Sequence, residues 1–99
     1  MKKNVYILGI LFFTPLFSAH AYTFTRTLTI GDEGQDVLEL QKILNSNSQT
    51  AVSVSNTRGS YGNETTYFGM LTKDAVIRFQ NLHAEEILYP NGLTKGTGF

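Results

Sequence analysis

Two stretches of this chain carry the same apolar spacing, and that spacing constrains the fold more than any other feature. Val37, Leu40, Gln41 and Leu44 stand at i, i+3, i+4 and i+7, and Val76, Phe79, Gln80 and His83 repeat the pattern. At about 3.6 residues per turn, each set falls on one face of a helix. Two amphipathic helices must bury those faces against each other or against other chain, which points to an all-α, small helical bundle. Each stripe also contains a glutamine, which core packing alone does not require. A buried amide needs partners, so Gln41 and Gln80 are expected at the helix–helix edge, bonded to backbone groups of a neighbouring turn. That role is structural rather than ligand-binding.

Local signals bound both helices. Gly31-Asp32-Glu33-Gly34 reads as a turn, and Asp32 with Gln35 resembles a capping box. The first helix is expected from Gln35 to Leu44 or Asn45, with Asp36 in its first turn and Lys42 in its last, as the helix dipole favours. Before the second stripe comes Tyr67-Phe68-Gly69, where glycine lets the chain turn sharply. Thr72 is the expected N-cap of a second helix that runs to about Leu88. Its buried face would comprise Ala75, Val76, Phe79, Leu82, His83 and Ile87, with Ala75 small enough for close helix approach. Leu40 and Phe79 would be the main anchors, each stabilising by roughly 1.5–3 kcal/mol when buried. Tyr89-Pro90-Asn91-Gly92 then stops the helix.

Between the helices, residues 46–63 are rich in Ser, Asn, Thr and Gly. Loops of this length tend to be functional or mobile. Ala51-Val52-Ser53-Val54-Ser55 alternates, as a brief strand would. Asn56-Thr57-Arg58-Gly59 supplies turn chemistry, and Asn63-Glu64-Thr65 matches the glycosylation sequon. Residues 22–30 alternate weakly, carry four threonines and read as an extended lead-in.

The first 21 residues read as a secretory signal peptide. Lys2 and Lys3 precede an apolar run over Val5–Phe17, and Ala19-His20-Ala21 fits the small-x-small cleavage rule before Tyr22. That run falls short of the roughly 20 residues that span a bilayer. After cleavage no membrane segment is expected, and the product belongs in the periplasm, the cell wall or the extracellular space. Six basic and eight acidic residues follow, a net charge of about −2 with no basic patch, so nucleic acid is a poor partner. The chain has no cysteine, so neither a lipid anchor nor a disulfide framework is available. Stability must come from helix packing or from chain beyond Phe99.

No catalytic constellation is visible. Asp32, Glu33, Asp36 and Glu39 read as the solvated face and dipole complement of the first helix. His83 is the only histidine after residue 21, and a metal site needs several ligands. No serine sits in a nucleophile elbow. Neither an enzyme nor a cofactor or metal is expected. One candidate contact cluster remains: Tyr61, Asn63 and Tyr67, an aromatic face with a nearby amide of the kind that holds carbohydrate or peptide. The alternative is that Phe68 fills the core, Tyr67 covers it, and the others are plain loop residues.

The order Gly31-x-x-Gly34-x-x-Val37-x-x-Leu40-Gln41-x-x-Leu44, then Tyr67-Phe68-Gly69-x-x-Thr72-x-x-Ala75-Val76-x-x-Phe79-Gln80, resembles the type 1 peptidoglycan-binding domain. That resemblance implies a three-helix module over residues 31–99. It also implies a non-catalytic, monomeric wall-binding role with peptidoglycan as partner, targeting an attached domain to a bacterial cell wall. Two other readings stay open: a structural or protein-interaction module without sugar recognition, and the accessory domain of a hydrolase whose catalytic part follows Phe99. The family repeats its glycine-aromatic turn before a third helix. Here Leu93–Phe99 begins that turn and the sequence stops, so a C-terminally incomplete domain, a fragment of a longer protein, is the expectation.

Overall fold

A computed structural model describes residues 22–99. The signal peptide expected over residues 1–21 lies outside the described residues, as does the Ala21 side of its cleavage site. Three helices follow in order: α1, Gln35–Leu44; α2, Met70–Leu82; and α3, Ala84–Ile87, a single turn. A 3₁₀ turn at Tyr89–Asn91 closes the helical region. Among the described residues no strand forms; the β pairing is one antiparallel bridge between Glu33 and Tyr67.

α1 has the expected bounds and buries the expected stripe of Val37, Leu40, Gln41 and Leu44. Its start is built differently from the sequence expectation. Gly34 is the N-cap and offers no side-chain cap; Asp32 instead accepts the Thr29 amide at 2.9 Å, and Gln35 turns to Glu39. Gly34 has φ of 152°, a conformation in practice reserved for glycine, and a Cβ there would lie 2.7 Å from Asp36 Oδ1. The space it leaves is used by Arg26, which donates from Nε to Asp36 Oδ2 at 2.7 Å and from Nη2 to the Glu33 carbonyl at 2.7 Å. The lead-in is therefore clamped to α1, with Phe24 and Leu28 in the core.

α2 begins two residues before Thr72, with Gly69 as N-cap. Thr72 is not a cap. Its hydroxyl is buried and accepts a hydrogen bond from Gln41 Nε2 at 2.9 Å. The helix also ends before Leu88, because His83 takes φ −109° and ψ 35° and breaks the α geometry. After the break, Ile87 and Leu88 both pack into the core, Leu93 lies against it, and Leu82 is left about half exposed rather than buried. His83 is partly buried, its ring 4.6 Å from that of Phe79.

The core joins Val37, Leu40 and Leu44 of α1 to Ala75, Val76 and Phe79 of α2, with Phe68 fully enclosed between them. Phe68 is fixed by its backbone: its amide donates to Asp32 O at 2.9 Å and its carbonyl accepts from the Gly31 amide at 2.8 Å. Residues 51–55 do not form the expected strand. Val52 is buried while Val54 is 73 % exposed, whereas a strand would place both on one face.

The long polar loop is pinned at several points. Asn45 Nδ2 donates to the Gly59 carbonyl and to Glu64, and Asn45 Oδ1 accepts the Val52 amide at 2.8 Å. Thr50 donates to the Leu44 carbonyl, and Arg78 of α2 reaches the Gln49 and Ala51 carbonyls. Burial pushes the Glu64 carboxyl up, but bonds from Asn45 and the Gly62 amide, with the charge of Lys42, together hold it below the usual carboxylate range.

Both stripe glutamines are buried, and they do the same job twice. Gln41 Oε1 accepts the Thr65 amide at 2.7 Å while Nε2 donates to the Tyr67 carbonyl at 3.0 Å. Gln80 Oε1 accepts the Thr97 amide at 2.8 Å while Nε2 donates to the Phe99 carbonyl at 2.7 Å. In each case one side-chain amide grips residues i and i+2 of a returning Thr-x-aromatic segment. The expected bonds between the two helices are thus only partly realised. Gln41 reaches α2 through Thr72, but Gln80 holds the C-terminal segment instead.

Candidate functional site

The turn that feeds α2 borders a cleft of about 220 Å³. One wall is Tyr67, Gly69 and the first α2 residues, Met70 and Leu71; the other is Val52, Arg58 and Gly59 of the long loop. Gln41, Thr65 and Thr72 also line it and belong to the buried hydrogen-bond network described above. The local chain path follows from that network. Gln41 fixes the backbone at residues 65 and 67, so Phe68 points inward and the Tyr67 ring is left outside, 46 % exposed.

Gly69 has a more specific role than free rotation. Its φ is −104°, which any residue can adopt. A Cβ at this position, however, would sit 2.9 Å from Tyr67 Cε2 and 3.3 Å from Cδ2. Glycine lets the Tyr67 ring lie flat over the start of α2 and form a wall of the cleft.

Of the three residues singled out from sequence, Tyr67 lines the cleft, whereas Tyr61 and Asn63 stand outside it on the adjoining loop, both exposed. Asn63 is tied to the cleft wall through its backbone: its carbonyl accepts the Gly59 amide at 2.8 Å, and its side chain donates to Ser60. Tyr61 is 80 % exposed. Sequence reasoning missed Met70, Leu71 and Arg58. Met70 and Leu71 carried a signal, since both are apolar yet lie off the buried stripe, and both are more than half exposed. Arg58 was hidden in what read as turn chemistry.

Charge around the cleft is sparse. Arg58 is the one charged residue among those that line it. The other two arginines are engaged elsewhere, Arg26 with Asp36 and Arg78 with loop carbonyls, while the Arg58 guanidinium has no partner among the described residues. No group of three or more metal-ligating side chains occurs among the described residues, and none of their helices is long and apolar enough to cross a membrane. The arrangement can hold a small, mostly apolar ligand with an anionic end.

A family model for the peptidoglycan binding domain matches residues 33–84, more than half of the chain. The match runs from the bridge residue Glu33 through α1, the cleft and α2 into the first residue of α3. No curated protein and no solved structure matches at a significant level. The spacing of both glutamine-bearing stripes, the helical fold and this match agree: the chain belongs to the peptidoglycan binding domain family.

Proposed function

We propose that the protein is a non-catalytic peptidoglycan-binding module of an exported bacterial protein, and that it holds an attached domain against the cell wall. Family membership supports the partner. The observation that carries the reading to a surface is the Tyr67 wall, an aromatic ring held outward by the Gln41 grip and by the missing side chain at Gly69. Tyr61 and Asn63, exposed on the adjoining loop, extend that contact face. A site of this size binds weakly, and attachment to a large polymer raises the effective concentration enough to retain the protein. The test is co-sedimentation with purified sacculi. The protein is expected in the pellet, and Tyr67→Ala is expected to move most of it to the supernatant with no loss of fold. Complete recovery of the unmodified protein in the supernatant at high sacculus excess overturns the proposal.

A second reading has one observation in its favour. Met70 and Leu71 expose neighbouring apolar side chains beside Tyr67, a surface that also suits a protein partner. In that case neither the parent nor the Tyr67 variant would pellet with sacculi.

A further inference from the structure

We infer that the cleft takes the peptide stem of peptidoglycan rather than its sugars, with Arg58 as the carboxylate-binding residue; this rests on the wall-binding reading. The first argument is a count of free polar groups. A sugar brings a ring of hydroxyls, each of which must regain a hydrogen bond when water is removed. The polar side chains that line the cleft are already committed. Gln41 spends its oxygen on the Thr65 amide and its nitrogen on Tyr67 and Thr72. The Thr72 hydroxyl receives that bond, and the Thr65 hydroxyl donates to the Tyr67 carbonyl. What remains for a ligand is mostly apolar side chain, the Tyr67 ring, Met70, Leu71 and the edge of Val52, with the Tyr67 hydroxyl and the uncapped Met70 and Leu71 amides as the few free donors.

The second argument is charge. No acidic side chain lines the cleft, and its one charged residue, Arg58, carries a guanidinium without a partner among the described residues. A guanidinium forks onto a carboxylate with two parallel bonds, a geometry that neutral sugar hydroxyls do not match. Stem peptides combine the two features in one short chain, small methyl side chains beside free carboxylates. A volume of about 220 Å³ accommodates one or two such residues. Asn45 at Gly59, Ser53 at the Arg58 carbonyl and Arg78 at Ala51 pin the loop backbone on both sides of the cation.

The test pairs sacculus co-sedimentation with an NMR titration of the isotope-labelled protein. The probes are a soluble tetrapeptide stem with a free C-terminal carboxylate, its amidated form, and glycan strands stripped of peptide. Arg58→Gln is expected to lose at least about tenfold in sacculus affinity, with Arg58→Lys in between. Arg58 is exposed and has no side-chain partner among the described residues, so circular dichroism and melting temperature should match the parent. The free-acid tetrapeptide should shift the Met70 and Leu71 amides and the Arg58 Nε signal, and the amidated form should do so less. If Arg58→Gln pellets like the parent, or if stripped glycan alone shifts these signals, the inference is overturned while wall binding stands. If the unmodified protein fails to pellet at all, both are overturned.

Discussion

At the scale of single residues, two positions do more than their types suggest. Asp36 is held by Arg26 through a bidentate bond, and this hydrogen bond, with the Arg26 charge and the Val37 amide, keeps its carboxyl below the usual range against the opposing effect of burial. A depressed folded value means stability that is fully present above the unfolded carboxylate value of about 4 and is lost as pH falls through the folded one. Glu64 acts in the same direction. Unfolding free energy measured by urea titration should therefore drop as pH is lowered below about 4, and the drop should be shallower in Asp36→Asn. Gly69 is the second position. Its backbone accepts alanine, and the clash that results is with a half-exposed ring that can swing away. Gly69→Ala should change stability by less than about 1 kcal/mol yet weaken sacculus binding as strongly as Tyr67→Ala. A matching loss of stability would show that the ring, not the site, is what the glycine protects.

Among the elements, the two glutamine grips invite a direct comparison. Gln41→Leu leaves the Thr65 amide without its partner and the Tyr67 carbonyl with only the long bond from the Thr65 hydroxyl, and is expected to cost about 2–4 kcal/mol of global stability. Gln80→Leu frees only residues 97–99, so hydrogen exchange should accelerate at the Thr97 and Gly98 amides while the α1 and α2 amides keep their protection. Equal global losses in the two variants would contradict this division.

The sequence made α1 legible because its periodicity, its turn and its charges agree. It made the existence of α2 legible, but not its ends. Gly69 caps by backbone position rather than by side chain, and the break at His83 has no local breaker, since it follows from packing Ile87 and Leu88 together. The loop read as a possible strand because Ala51–Ser55 alternates. Its real organiser is Asn45, whose partners lie 7, 14 and 19 residues away and leave no periodic trace. The Tyr67 wall was readable from the aromatic-glycine turn. Arg58 was not, because it stands in a run that reads as turn chemistry and its guanidinium has no partner among the described residues to mark it.

For the molecule as a whole, one residue stands at the junction of every part. Phe68 is fully enclosed, bonded through its backbone to the lead-in turn and placed between α1 and α2. Truncating a buried phenylalanine costs about 3–5 kcal/mol. A domain of this size has about 4–12 kcal/mol in total. Phe68→Ala should thus leave the chain marginal, with a large loss of helical signal at 25 °C or a urea midpoint near zero. An unchanged midpoint would mean that the core is centred elsewhere.

The paired grips also have a mechanical meaning. Gln80 sits on the helix whose first turn is anchored by Gln41, so the two latches lie in series along the chain. A pull on residues 97–99 passes through the Gln80 amide into α2, so both latches carry the same load, and the one that holds only three residues opens first. In a tether between a wall and its cargo, the terminal segment would then act as a sacrificial link. Under force it should yield as a small early extension, while the surface that holds the polymer stays intact.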